Sequence, residues 1–276
     1  MVHDSLREST ARKATKGPYG RPEAWSLTVG ECYVWSAHLD EFSGTLPRFY
    51  RMLSDRERSR AARFRFQEDR DHFVIRRGLL RTILGLYLPG SPASIAFCEG
   101  PSGKPALASP AGADTLHFNL SHSCGLAVYA ITRAVPLGVD VERIRPMNDM
   151  QDIASRFFTA RENACLQAVP LHQRLEAFFN CWTRKEACLK ATGQGIGEGL
   201  AGVEVTLAPG RAARVLSIMG STQAAAGWSL HTLEPATGYV CAVAYLGQRL
   251  EMECRRFSLS ILHGEACGMS EANWKL

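Results

Sequence analysis

Four pairs of segments recur in this chain in the same order and at nearly constant spacing. LSDRERSRA at 53–61 is matched by FTARENACL at 158–166, and RRGLLRTILG at 76–85 by RKEACLKATG at 184–193. LHFNLSH at 116–122 has its counterpart in WSLHTLEP at 228–235, and GLAVYAI at 125–131 in GYVCAVAYL at 238–246. The offsets are 105, 108, 112 and 113 residues. Chance likeness among amphipathic segments is the competing explanation, and four offsets in sequence order argue against it. Two copies cannot build a solenoid. They describe an α+β fold of two structurally similar lobes, each an antiparallel sheet packed with helices, with the active site in the cleft between them.

Local chemistry agrees with this division. Ser54 with Glu57, and Thr159 with Glu162, have capping-box spacing, so each pair starts a helix. Gly85 and Gly193 stand where a glycine after a helix end would stand. The lobes are expected at 25–136 and 137–247, with a polar, flexible tail at 1–24 and a C-terminal extension at 248–276 that carries no periodic pattern.

Composition removes several classes of function. The N-terminus lacks an apolar run, and LLRTILGLYL is interrupted by Arg81 and too short to span a bilayer, so neither secretion nor a membrane is indicated. The nine cysteines form no CxxC pair, and Cys124, Cys181, Cys188 and Cys241 lie in apolar runs, as small buried hydrophobes do. A reducing cytoplasm is the expected setting. The net charge of +5 suits an anionic ligand or an acidic partner and falls short of a nucleic-acid footprint. The aromatics follow core periodicity rather than interleaving with basic residues, which sets aside an RNA-binding sheet.

Four motifs could carry chemistry. In LGVDVE, 137–142, Asp140 and Glu142 share one strand face about 7 Å apart and can converge on a hard cation, although an acidic outer face would look the same. In WTRKEACLK, 182–190, Lys185 falls on the apolar stripe of Phe178, Trp182 and Leu189, so it requires an anion or must snorkel. Glu186 and Lys190 are four apart, which could be only a surface ion pair. FNLSHS, 118–123, reads as a strand delivering Ser121 and then His122 into a loop, where both could bond phosphate oxygens. GPSGKP, 100–105, is a turn with a protruding Lys104 and is no Walker loop, while GQGIGEG, 193–199, follows a helix and reads as a flexible connection. Arg77 and Arg81 could join an anion site or a salt-bridged face.

The order of these pieces resembles 4′-phosphopantetheinyl transferases of the surfactin-synthetase-activating (Sfp) type. GVD, then WTRKEACLK, together with the upstream GKP, FNLSHS and LSDRERSRAARF…DRDHFVIRRGLLR, carry the resemblance over roughly residues 50–200. It implies transfer of phosphopantetheine from coenzyme A to a serine hydroxyl of an apo acyl or peptidyl carrier protein, releasing 3′,5′-ADP. By the same resemblance Asp140, Glu142 and Glu186 would bind Mg²⁺, or Mn²⁺ in its place. Glu186 would also be the base for the carrier serine, and Lys190 would stabilise the leaving phosphate. Lys185, Ser121, His122, Lys104 and Arg77 would grip coenzyme A phosphates. His72 stands where relatives carry an arginine for the 3′-phosphate, with Arg60 or Arg77 as compensating cations. A monomer is expected, with no nucleic acid and no membrane partner. The alternative is a non-catalytic carrier-protein or coenzyme-binding module of the same fold, which the complete set of five charged residues argues against.

Overall fold

The computed structural model describes residues 26–100, 103–108, 116–193, 199–263 and Trp274. The tail expected at 1–24 lies outside them, as do residues 194–198 of the connection expected at 193–199. The first lobe runs β1 (Glu31–His38), α1 (Leu46–Met52), α2 (Asp55–Ala61), α3 (Gln67–Tyr87), β2 (Phe97–Glu99), β3 (Pro105–Leu107), β4 (His117–Ser123) and β5 (Leu126–Thr132). The second runs β6 (Leu137–Arg143), α4 (Met150–Phe157), α5 (Ala160–Ala168), α6 (Leu171–Thr192), β7 (Val203–Val205), β8 (Val215–Ile218), β9 (Trp228–Leu233) and β10 (Tyr239–Leu246). Both capping boxes form: Ser54 opens α2 with Glu57, and Thr159 opens α5 with Glu162.

The strands make two main sheets, ordered β6–β10–β9 and β5 between β1 and β4. All ladders among these strands are antiparallel. A last strand, β11 (Glu251–Arg256), adds itself to the first sheet parallel to β1, with Tyr33 opposite Glu253. The C-terminal extension is therefore structural: after β11, Phe257 and Leu262 enter the first lobe's core. EMECRR escapes a sequence reading because this edge strand is only partly buried, so its side chains need not alternate apolar and polar.

Strand alternation explains the layering. In β5, Ala127, Tyr129 and Ile131 face α3, while Leu126, Val128 and Ala130 face the other sheet. In β10, Ala242 and Ala244 face α6, while Cys241, Val243 and Tyr245 meet the first sheet. The order is helices, sheet, sheet, helices, and the central strands are buried on both faces. That makes AVYAI and VCAVAYL nearly continuous apolar runs.

Two local expectations give way to packing. Gly85 does not end its helix: α3 continues to Tyr87, and a Cβ at Gly85 would lie 2.8 Å from Pro92 Cγ. Cys124 is exposed rather than buried, because with Gly125 it forms the two-residue turn between β4 and β5. Both have positive φ, 45° and 80°, as a tight hairpin turn demands. Gly193 does serve as the left-handed cap of α6, at φ 74°. Among the described residues no helix is long and apolar enough to cross a membrane.

Candidate active site

The site grows from a seam between β4 and β6. Asn119, Ser121 and Ser123 alternate along β4 and so share a face. Asn119 Oδ1 accepts from the Val139 N–H at 2.8 Å, and Ser121 Oγ donates to Asp140 Oδ1 at 2.8 Å. Ser123 Oγ donates to Glu142 Oε2 at 2.6 Å and accepts from the Arg143 N–H at 3.2 Å. Two serines of one lobe thus hold the carboxylates of the other, and Asn119 holds the strand that carries them.

Helix α6 lies directly over this seam because position 138 is glycine. A Cβ there would sit 2.0 Å from the Ala187 carbonyl oxygen and 2.5 Å from the Ala191 nitrogen. This close approach brings Lys190 Nζ to Asp140 Oδ1 at 2.6 Å, Ser121 Oγ at 3.1 Å and the Val139 carbonyl at 3.2 Å. Glu186, one turn earlier on α6, is buried, and neither of its oxygens has a hydrogen-bond partner; Asp140 Oδ2 is orphaned in the same way. Such buried unpaired oxygens are costly and mark where a cation or a donor is missing from the protein's own inventory. Burial, reinforced by Asp140 and opposed by Lys190, pushes the Glu186 carboxyl up to about 7. Glu142 is also raised, first by burial, with its serine bond acting against the shift. Among the described residues no three His, Cys, Asp or Glu side chains close into a ready-made metal cage. Magnesium does not need one, since it commonly takes one or two protein carboxylates and completes its shell with water and phosphate.

Basic side chains ring this centre. His122 lies within the strand rather than in a loop and keeps an exposed edge, yet protein encloses most of its ring. That desolvation, with Arg76, Lys190 and His72 around it, lowers its pKa to about 4. His72 bonds Asp40 Oδ1 at 2.8 Å through Nε2. Lys104 donates to the Leu137 and Lys190 carbonyls, at 2.9 and 2.6 Å, so it caps the end of α6. Burial and then Lys190 lower its pKa to about 8. Arg60 is exposed, 3.8 Å from Glu99 and stacked over Phe73.

Three expected phosphate ligands are claimed elsewhere: the Ser121 hydroxyl, which donates to Asp140 and accepts from Lys190, and the side chains of Lys185 and Arg77. Lys185 is fully buried, and its Nζ donates to Glu162 Oε2 at 2.5 Å over the Phe158 ring. Its counter-ion is therefore built in and does not arrive with a substrate. Glu162 also accepts from the Thr159 and Val205 N–H groups, tying α5, α6 and β7 together. Arg77 likewise turns inward between the Phe73 and Phe97 rings, with Nε 3.6 Å from Glu57 Oε1. Three contributors escape the sequence reading: Asn119, Ser123 and Arg76. The serine and asparagine alternate with Ser121 in FNLSHS, a usable signal. Arg76 and Arg77 are adjacent on α3, and only the packing of α3 decides which one is near His122.

Two family models match the chain: "4′-phosphopantetheinyl transferase, N-terminal" over residues 34–133, and "4′-phosphopantetheinyl transferase superfamily" over residues 136–244. The chain is 39% identical to the 4′-phosphopantetheinyl transferase HetI of Nostoc sp., over 82% of this chain and 92% of that protein. It is 30% identical to the 4′-phosphopantetheinyl transferase Sfp of Bacillus subtilis, over 54% of this chain and 64% of that protein. A solved holo-(acyl-carrier-protein) synthase from Bacillus anthracis shares 21% identity over 40% of this chain and 93% of its own, with a TM-score of 0.32, a likeness too slight to bear on the fold.

Proposed function

The chain belongs to the 4′-phosphopantetheinyl transferase family, and from that premise we propose that it is the two-lobed, surfactin-synthetase-activating type of this transferase, acting as a monomer. It moves the 4′-phosphopantetheine arm of coenzyme A onto a serine hydroxyl of an apo acyl or peptidyl carrier protein and releases 3′,5′-ADP, with Mg²⁺ required. The observation that carries this reading is the set of orphaned oxygens on Glu186 and Asp140, buried opposite Lys190.

These residues fit a divalent ion: Asp140 and Glu186 offer three buried oxygens without partners, and Glu142 stands beside them on β6. When bound, the ion would neutralise pyrophosphate charge as it develops, a contribution worth several kcal/mol in such reactions. The chain's own residues do the rest by positioning and electrostatics. Glu186, directly or through a water, accepts the proton as the carrier serine oxygen attacks the phosphorus that bears the pantetheine arm. The bond from that phosphorus to the bridging oxygen breaks, and the oxygen leaves with 3′,5′-ADP. Lys190 can exchange its Asp140 bond for the leaving phosphate. His122, Arg76, His72 and Lys104 supply the remaining anion-binding edge, with His122 neutral and able to donate from one ring nitrogen. Eight free cysteines among the described residues suit a reducing cytoplasm.

Intact mass of an apo carrier protein, incubated with this chain, coenzyme A and Mg²⁺, tests the proposal. A gain of one phosphopantetheine arm that EDTA prevents is expected. No gain across acyl and peptidyl carriers, from a folded chain that still binds coenzyme A, would favour a non-catalytic module.

A further inference from the structure

At the far edge of the second sheet, away from the Asp140 seam, lies a cavity of 1220 Å³. One wall is β9 from Ser229 to Glu234, whose outer edge has no ladder partner among the described residues. A second wall is the face of α6 that carries Glu176, Asn180 and Arg184 on successive turns. The loop at 210–213 makes a third. The space is ample for a small molecule, and no residue of the proposed active site lines it.

Arg184 sets the chemistry of this cavity. It is 2% exposed, and Nη1 donates to the Thr206 carbonyl at 2.5 Å and to Thr206 Oγ1 at 3.3 Å. Nε and Nη2 donate to Thr232 Oγ1 at 3.2 and 3.0 Å. All these acceptors are neutral, and Nη2 keeps a second N–H for another oxygen. Arg81 and Lys185, the other deeply buried cations of the long helices, each meet a carboxylate, at 2.7 and 2.5 Å. Arg184 forms no ion pair among the described residues; Glu176 acts on it only from a distance. A buried charge without a counter-ion is costly, so an anion is the group this place lacks.

The internal repeat points to the same class of ligand. By the 108-residue offset of the long helices, Arg184 corresponds to Arg76 and Asn180 to His72, both on the edge proposed for coenzyme A. Burial, the largest cause in each case, lowers the Arg76 and Arg184 guanidinium groups alike to about 10. The strands agree in register: Ser121 lies opposite Val128, and Leu233 opposite Cys241. Arg211 and Arg249 are exposed at the mouth, while Glu176, Glu234 and Glu251 also line it. The lining is balanced overall, and the charge left without a neighbour is the buried one.

We propose that this cavity is a second ligand site, where a small molecule seats an oxyanion, phosphate or carboxylate, against the Arg184 guanidinium. The site stands on the cavity and its arginine; only the likeness to a phosphate edge rests on the coenzyme reading of the first lobe.

The test uses ¹H–¹⁵N spectra of arginine Nε–H groups in the whole chain, with coenzyme A bound so that the first site is filled. The Arg184 signal is the one lost in Arg184→Lys, or is assigned through bonds in the wild type if that variant does not fold. Inorganic phosphate and, separately, acetate are added at constant ionic strength. The Arg184 signal is expected to move saturably, and the anion that saturates it at lower concentration identifies the oxyanion. Arg249→Glu, at the exposed mouth, should raise the apparent dissociation constant about threefold or more, with coenzyme A affinity unchanged. A signal that neither anion moves, that moves without saturating, or that responds identically in Arg249→Glu would overturn the site. A folded wild-type chain that fails to bind coenzyme A would overturn the transferase reading instead, and the Arg184 signal would still decide this one.

Discussion

The two lobes share a frame and differ at the residue beside it. In each, a capping-box glutamate is buried and paired with a cation of the long helix: Glu57 with Arg81 at 2.7 Å and Arg77 at 3.6 Å, Glu162 with Lys185 at 2.5 Å. The glutamates are 105 residues apart, and Arg77 and Lys185 are 108 apart. The next residue on each helix is Gly78 in the first lobe and Glu186 in the second. A Cβ at Gly78 would lie 2.2 Å from Phe49 Cγ, because α1 fills that space. In the second lobe the equivalent position carries a carboxylate with two unpaired oxygens. The repeat supplies a scaffold twice. In the first lobe an aromatic ring fills the place that the carboxylate takes in the second.

Glu186→Gln would break the comparison most sharply by making the second lobe as inert as the first. It should lower kcat by about 10²–10⁴-fold, the range for losing a positioned proton acceptor, and should not lower the melting temperature. A neutral amide removes a buried charge that has no partner, so a stable but fully active variant would take Glu186 out of the chemistry. Next come the ion pairs. Lys185→Met should destabilise by about 3–5 kcal/mol, since it strands Glu162 in a dry interior. Arg81→Met should cost less, because Arg77 remains near Glu57. Denaturant melts would measure both, and transfer per folded molecule should fall only for Lys185→Met, whose helix turn carries Glu186. Equal losses of activity would mean that the pairs merely hold the fold. The smallest effect belongs to Lys104. Its native pKa is lowered to about 8 from 10.5, so between these values the unfolded chain holds a proton that the native one lacks. Stability from this group must rise with pH across that window. Wild type should therefore gain on Lys104→Met in melting temperature from pH 8 to 10, and a flat difference would contradict the assignment.

Much of the fold was legible before any coordinates. Both capping boxes, the long helices and the strands at 117–132 and 228–246 follow from short-range spacing. The burial of Lys185 also followed from its stripe. Its partner did not, because Glu162 lies 23 residues away on another helix, and nothing in WTRKEACLK distinguishes a protein carboxylate from a substrate phosphate. The same limit hid Ser123 and Asn119, whose partners lie on a strand about twenty residues on.

Sequence by itself determined the local elements, the duplicated frame and the inventory of charged groups, since caps, periodicity and turn glycines act within a few residues. Tertiary structure decided which groups meet. The bare Cα of Gly138 let α6 approach β6, Lys190 reached Asp140, and Glu186 was left buried without a partner. Those outcomes depend on distances between chain segments far apart in sequence, set by how α6 packs on the sheet and not by any residue's own preference.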